Sequence, residues 1–188
     1  MPSFFDNIYR GKRVLVTGHT GFKGSWLRLW LQELGADVAG FALEPRTVPS
    51  HFSLLSETCR GDIGDIADYE RIGAAIAAFR PEIVFHLAAQ PLVRYSYRNP
   101  RETYLTNVIG TLNVCEACRE TDSVRAIVAI TTDKVYQNNE WHWGYREQDR
   151  LGGYDPYSSS KACAEVLLDS YRNSYFNLER YGAEHNVL

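Results

Sequence analysis

Tyr157 and Lys161 stand four residues apart, and on a helix that spacing puts a phenol and an ammonium on one face. Asp155 suits an N-cap and Pro156 the first helical position, so a helix is expected to start there. A cation beside a phenol lowers its pKa from about 10 toward neutrality. Such a phenol is a general base able to take a proton from a sugar alcohol while hydride leaves the same carbon. A plain surface contact is the other meaning of the pair, and the neighbouring residues have to decide. Thr131-Thr132-Asp133-Lys134 follows the apolar run Val124–Ile130. Thr132 could hydrogen-bond both a substrate oxygen and the phenol, while Asp133 and Lys134 offer an acid and a base. The alternative is a strand-end turn with solvated charges. Lysine is scarce in this chain, occurring only at 12, 23, 134 and 161, and the last three fall at candidate site positions.

The elements that must position these groups alternate in type. Strands are expected at Val14–Val16, Val38–Leu43, Cys59–Ile63, Ile83–Ala88 and Val124–Ile130. Helical spacing marks Phe22–Leu34, Tyr69–Phe79, Thr103–Arg119 and Pro156–Tyr175, while 45–53 and 131–154 read as loops. The helix after the first strand carries an amphipathic run from Trp26 to Leu34, with Gly35 as its stop. Strands alternating with helices imply an α/β, doubly wound parallel sheet with helices on both faces. Sites in such sheets lie beyond the carboxyl ends of the strands.

Thr17-Gly18-His19-Thr20-Gly21-Phe22-Lys23-Gly24 joins the first strand to the first helix. Gly18 permits a tight turn, Gly21 lets backbone approach a pyrophosphate, and Gly24 lets the helix lie close on the strand. The helix N-terminus then offers N–H groups and a positive dipole end to phosphates. His86-Leu87-Ala88-Ala89-Gln90 closes another strand with small residues that let a cofactor ribose and nicotinamide pass close to the backbone; His86 itself reads as a satisfied core histidine. Asp62 and Ile63, after Gly61, could flank an adenine, and Asn107 could bridge backbone to site. Glu44 favours the 2′-hydroxyl of NAD, whereas Arg46 could meet a 2′-phosphate, so the residues leave NAD and NADP open.

Composition closes other routes. The 188 residues are 45% hydrophobic and 23% charged, ordinary for one globular domain with a real core. A net charge of −3 gives no electrostatic case for nucleic acid or an anionic membrane. No apolar run is long enough to span a bilayer, residues 1–10 lack a signal-peptide pattern, and cytoplasm is the expected compartment. Cys115 and Cys118 form a CxxC inside a helical pattern without a second pair, so they read as small buried residues. The five histidines are scattered, and no metal site is expected.

TGxxGxxG, Ala88-Ala89-Gln90, Thr132-Asp133 and YxxxK together resemble the extended short-chain dehydrogenase/reductases, the NAD-dependent nucleotide-sugar epimerases and dehydratases. The likeness runs from Arg13 to about Tyr175. Five longer strings, over 18–24, 87–94, 132–134, 141–147 and 152–158, resemble the branch that dehydrates CDP-glucose. The resemblance implies a hydro-lyase with catalytic Thr132, Asp133, Lys134, Tyr157 and Lys161. It implies NAD held by Gly18, Thr20, Gly21, Phe22, Lys23 and Gly24; by Asp62 and Ile63; by Leu87, Ala88, Ala89, Gln90 and Asn107; and by Tyr157 and Lys161. Tyr157 would deprotonate the sugar 4-hydroxyl, held by Thr132. A base would then remove the C5 proton and an acid assist loss of the 6-hydroxyl, giving a 4-keto-6-deoxy sugar used for bacterial surface polysaccharides such as lipopolysaccharide O-antigen. Related dehydratases carry Asp-Glu where this chain has Asp133-Lys134, so Lys134 would act as a neutral base or another group replaces it. A homodimer or higher homo-oligomer through the helices 103–119 and 156–175 is also implied. Asn186-Val187-Leu188 reads as the start of a further strand. The expectation is thus an NAD-binding domain over 1–188, truncated before a C-terminal nucleotide-sugar lobe. A 4-epimerase, or a dinucleotide-binding fragment without catalysis, are the competing readings.

Overall fold

The structure, a computed structural model, describes residues 4–55, 60–177 and 179. Five strands form one sheet: β1 (Arg13–Thr17), β2 (Asp37–Ala42), β3 (Arg60–Ile63), β4 (Ile83–His86) and β5 (Ala126–Ala129). Their order is β3-β2-β1-β4-β5, and every pairing is parallel. Val14 sits opposite both Val38 and Ile83, and Ile83 opposite Ala126.

Successive strand residues point to opposite faces, and an apolar run therefore feeds two core layers. Val14 and Val16 pack with Leu31 and Val38 on one side. Leu15 packs with Phe41, Ile72, Ile76, Val84 and Val114 on the other. A sheet covered on both faces requires such runs, and the α/β reading of the sequence is the architecture observed.

The helices follow their local signals with some departures. Helix α1 (Phe22–Glu33) ends before Gly35, whose φ is +83°. Its inward face carries Arg28 and Leu31, however, while Trp26 and Trp30 stand half exposed. The 45–53 segment is not all loop: α2 (His51–Leu54) is one turn, held by reciprocal bonds between Ser50 and Ser53. Helix α3 (Tyr69–Phe79) has the expected bounds, capped by Asp68 and closed by left-handed Arg80 before Pro81.

The helix expected at 103–119 starts earlier and is segmented. It comprises α4 (Val93–Arg98), α5 (Pro100–Tyr104), a π-helical turn (Leu105–Ile109) and α6 (Gly110–Arg119). Pro100 starts α5 because its fixed φ and missing N–H suit a first helical position. Strands β4 and β5 are shorter than their apolar runs. At the end of β4 the Leu87 and Ala88 N–H groups turn to the Thr17 hydroxyl, at 3.2 and 3.1 Å. Within 131–154 there is a 3₁₀ turn (Asp133–Val135) and a bridge between Tyr136 and Leu151. Helix α7 (Pro156–Ser174) begins as expected, with the Asp155 carboxylate accepting from Ser158 N–H at 3.0 Å.

Cys115 and Cys118 lie buried in α6, where burial pushes both thiols upward, Cys115 to about 12. Among the described residues no cluster of metal-ligating side chains occurs, and no helix is long and apolar enough to cross a membrane. The expectations for Cys59 and for a strand at Asn186–Leu188 lie outside the described residues.

Candidate active site

The chain runs outward from β1 to β2 and β3 on one side, and to β4 and β5 on the other. The loops leaving β1 and β4 therefore diverge, and a crevice opens at the strands' carboxyl ends. It is a cavity of about 810 Å³, within the range of small-molecule and cofactor sites. Gly18, Thr20, Gly21, Phe22, Lys23 and Gly24 line one wall, Leu87, Ala88 and Ala89 another, and Tyr157 and Lys161 face in from α7. The glycine turn and the phenol–ammonium pair, 133 or more residues apart in sequence, share one space.

The floor is built for close approach. Gly18 has φ +76°, and a Cβ there would meet the Ala88 backbone nitrogen at 2.9 Å. At Gly24 a Cβ would fall 2.1 Å from the Gly18 carbonyl oxygen. Thr20 donates to the Leu43 carbonyl at 2.7 Å, tying the turn to the end of β2. The start of α1 thus presents free backbone N–H groups to the cavity, the arrangement that binds phosphates. These cradles fit a dinucleotide.

Other expected residues lie elsewhere. Asp62 and Ile63 are on exposed β3, and Asp62 borders a small separate cleft beside Phe41 and Arg71. The chain repeats its signal three residues later: Gly64-Asp65-Ile66 lines the cavity. The sequence offers two copies of Gly-Asp-Ile, and only the second clears the strand end. Gln90 and Asn107 are fully buried behind the wall. The Asn107 side chain accepts from Gln90 N–H at 2.8 Å and donates to the Gln90 carbonyl at 3.1 Å and the Ser160 hydroxyl at 2.9 Å. They bind the β4 exit loop to α7 and do not face the cofactor space. His86 is satisfied on both nitrogens, by Thr17 at 2.7 Å and Thr111 at 3.0 Å, and burial drives its pKa down to about 3.

Thr132 lies near enough to the Tyr157 phenol to lower its pKa, but its hydroxyl donates to the Asp133 carboxylate at 3.1 Å, and Thr131, not Thr132, lines the cavity. Asp133 and Lys134 sit on the exposed 3₁₀ turn just beyond, with the Lys134 N–H on the Thr132 hydroxyl at 3.3 Å. The phenol differs from expectation. Its pKa is raised, because burial outweighs the lowering influence of the nearby Thr132 hydroxyl and Asp155 and Asp133 add negative charge nearby. Lys161 does not lower it, since its ammonium is turned to the Ile130 carbonyl at 3.2 Å. Burial also pushes Lys161 down to about 8, against the partial support of Glu165.

One feature was not read from the sequence. The segment after β2, with Pro49, Ser50, His51 and Leu54, walls the cavity. It docks on α1 through His51, which bonds Ser25 at 2.7 Å and stacks on Trp26 at 4.3 Å. Arg46 also lines the cavity, but it lies over the Tyr95 ring at 5.5 Å and 3.9 Å from Glu102, whose other oxygen accepts from Tyr95.

Comparison with known proteins agrees with this geometry. The chain is 56% identical over 183 residues to the CDP-glucose 4,6-dehydratase of Salmonella typhimurium, covering 96% of this chain and 51% of that protein. The UDP-glucose 4-epimerase of Thermotoga maritima, solved with UDP-glucose, superposes with a TM-score of 0.77 at 29% identity, covering 87% of this chain and 52% of that one. That of Thermus thermophilus, solved with NAD, gives 0.73 at 31% identity, covering 87% and 51%. The chain spans about half the length of the relatives it matches. The family described as GDP-mannose 4,6 dehydratase matches residues 15–180, and the chain belongs to that family of nucleotide-sugar dehydratases and epimerases.

Proposed function

We propose that this chain carries the cofactor-binding and catalytic part of a hydro-lyase that converts CDP-glucose to CDP-4-keto-6-deoxyglucose. The observation that carries this reading is the convergence of the glycine turn with Tyr157 and Lys161 in one cavity. NAD, when bound there, supplies the hydride acceptor and donor. Tyr157 takes the 4-hydroxyl proton, and Thr132, close beside the phenol, holds the same oxygen. Asp133 and Lys134, at the solvent side of that pair, serve the elimination: Asp133 assists departure of the 6-hydroxyl and Lys134 removes the C5 proton, which the 4-ketone acidifies. CDP-glucose is favoured by the 56% identity to an enzyme of that name. NAD is favoured over NADP because Arg46 is already held by Tyr95 and Glu102, leaving Glu44 for ribose hydroxyls.

Residues 1–188 act here as the dinucleotide domain, and the sugar nucleotide's base is recognised outside the described cavity. The compartment in this reading is the cytoplasm, and the product is a precursor of surface-polysaccharide deoxysugars. Exposed Ile109, Val166 and Tyr175, at the helices expected to pair, suit a homodimer. The test is incubation with NAD and a panel of nucleotide-glucoses. The expected result is a product with the alkaline absorbance of a 4-keto-6-deoxy sugar, from CDP-glucose in preference to the others. A 4-epimer without loss of water would instead identify an epimerase, and no turnover of any of them would remove the catalytic claim.

A further inference from the structure

Three successive residues at the exit of β5 dock on three residues of α7 spaced four apart. The Ile130 carbonyl accepts from Lys161 Nζ at 3.2 Å. The Thr131 hydroxyl donates to the Glu165 carboxylate in a short hydrogen bond. Thr132 lies near the Tyr157 phenol, close enough to lower its pKa. Residues 157, 161 and 165 share one helix face, so the loop lies along a stripe of phenol, ammonium and carboxylate. Thr131 and Ile130 both line the cavity.

We propose that Glu165 is a positioning residue for the site: it pins Thr131, so holding Thr132 against Tyr157, and it keeps a negative charge one helical turn from the Lys161 ammonium. This rests on the reading of Tyr157 and Lys161 given above. The charge matters because Lys161 is 6% exposed, and burial drives its proton off while Glu165 holds it on. The groups facing Lys161 are Tyr157 and Glu165 on α7, His86 on β4, which its charge pushes downward, and the Ile130 carbonyl on the β5 exit. His86 is kept neutral by burial, so Glu165 is the anion that these contacts supply.

Two substitutions separate the two roles. Glu165→Gln keeps an acceptor for Thr131 and removes the charge; Glu165→Ala removes both. The chain has four lysines, so side-chain Nζ and Cε resonances of the whole protein are few, and Lys161→Met assigns the relevant one. Glu165→Gln is expected to lower the Lys161 titration midpoint by roughly one unit and to leave the Thr131 and Thr132 amide resonances in place. Glu165→Ala is expected to lower the midpoint similarly and displace those amides as well. An unchanged midpoint in the Gln variant overturns the electrostatic role, and unmoved amides in the Ala variant overturn the pinning role. If the Ala variant does not fold, amides unmoved in Gln but displaced in Thr131→Val support pinning, and amides unmoved in Thr131→Val overturn it. NAD titration of the unsubstituted protein is run alongside. Absence of NAD binding with the lysine shift present would overturn the cofactor reading and leave the Glu165 assignment standing.

Discussion

The tightest contact in the cofactor cradle makes the sharpest prediction. Gly24 is the third residue of α1, and a Cβ added there would lie 2.1 Å from the Gly18 oxygen, 2.7 Å from the Gly18 carbonyl carbon and 2.9 Å from His19 Cα. All three are backbone atoms, so no side chain swings away to relieve the clash. The turn is also fixed by Gly18 N–H on the Phe41 carbonyl at 2.8 Å and Gly21 N–H on the Gly18 carbonyl at 3.0 Å. Relief requires the carbonyl to retreat by about 1.4 Å, since non-bonded heavy atoms rest near 3.5 Å apart. Overpacking costs about 1–3 kcal/mol, and a clash with backbone belongs at the upper end. Alanine's helix preference returns up to about 1 kcal/mol, so Gly24→Ala should lose roughly 2 kcal/mol net. Gly73, inside α3, is the matched control, because a Cβ there meets nothing within 4 Å. Gly73→Ala should gain roughly 0.5–1 kcal/mol. Urea unfolding reads both, and calorimetric titration with NAD should show at least about a tenfold loss for Gly24→Ala, equal to about 1.4 kcal/mol, and none for Gly73→Ala. Equal stabilisation by the two substitutions would refute the packing argument.

Stability should fall with acid through the buried histidines. The folded pKa values of His86 and His19 are lowered to about 3 and about 4, so below about 6.5 the unfolded chain binds protons that the folded chain refuses. From pH 6.5 to 5, His86 alone should remove about 2 kcal/mol; His86→Gln should flatten that part of the unfolding profile, and an unchanged slope would contradict the assignment. Asn107→Leu strands the buried Gln90 N–H, and thermal melting should report a loss of about 1–3 kcal/mol; an unaltered melting temperature would remove Asn107 from the scaffold. Lys134→Met should keep NAD binding but abolish exchange of the substrate's C5 hydrogen with solvent, followed by NMR in deuterium oxide. Undiminished exchange would exclude Lys134 as the base.

Most of the framework was legible because local signals agreed with each other. Asp68, the apolar spacing of Ile72 and Ile76, and Pro81 bound α3 from both ends. Asp155 and Pro156 mark the start of α7 in the same way. The misses have physical reasons. Trp26 and Trp30 look like a buried face, but burying Arg28 against the aromatic ring of Phe52, at 5.6 Å, turns them outward. Two tandem Gly-Asp-Ile strings are equivalent in sequence, and only the length of β3 decides between Asp62 and Asp65. Gln90 and Asn107 are polar residues near a strand end, yet the Asn107 side chain is satisfied by the Gln90 backbone and Ser160 and the Gln90 side chain by Leu92 and Thr103, which sequence spacing does not reveal. The phenol's raised pKa depends on burial and on where the Lys161 ammonium points, both set by the fold. Glu165 was visible as the next member of the 157, 161 series, but its partner Thr131 comes from another element.

The most direct measurement follows a deuterium placed at C4 of CDP-glucose during incubation of the protein with NAD. The account predicts loss of water and a 4-keto-6-deoxy product carrying the deuterium at C6, seen by NMR, with no net reduction of NAD. A sugar that is unchanged or merely inverted at C4, or a product with the label lost to solvent, would contradict it.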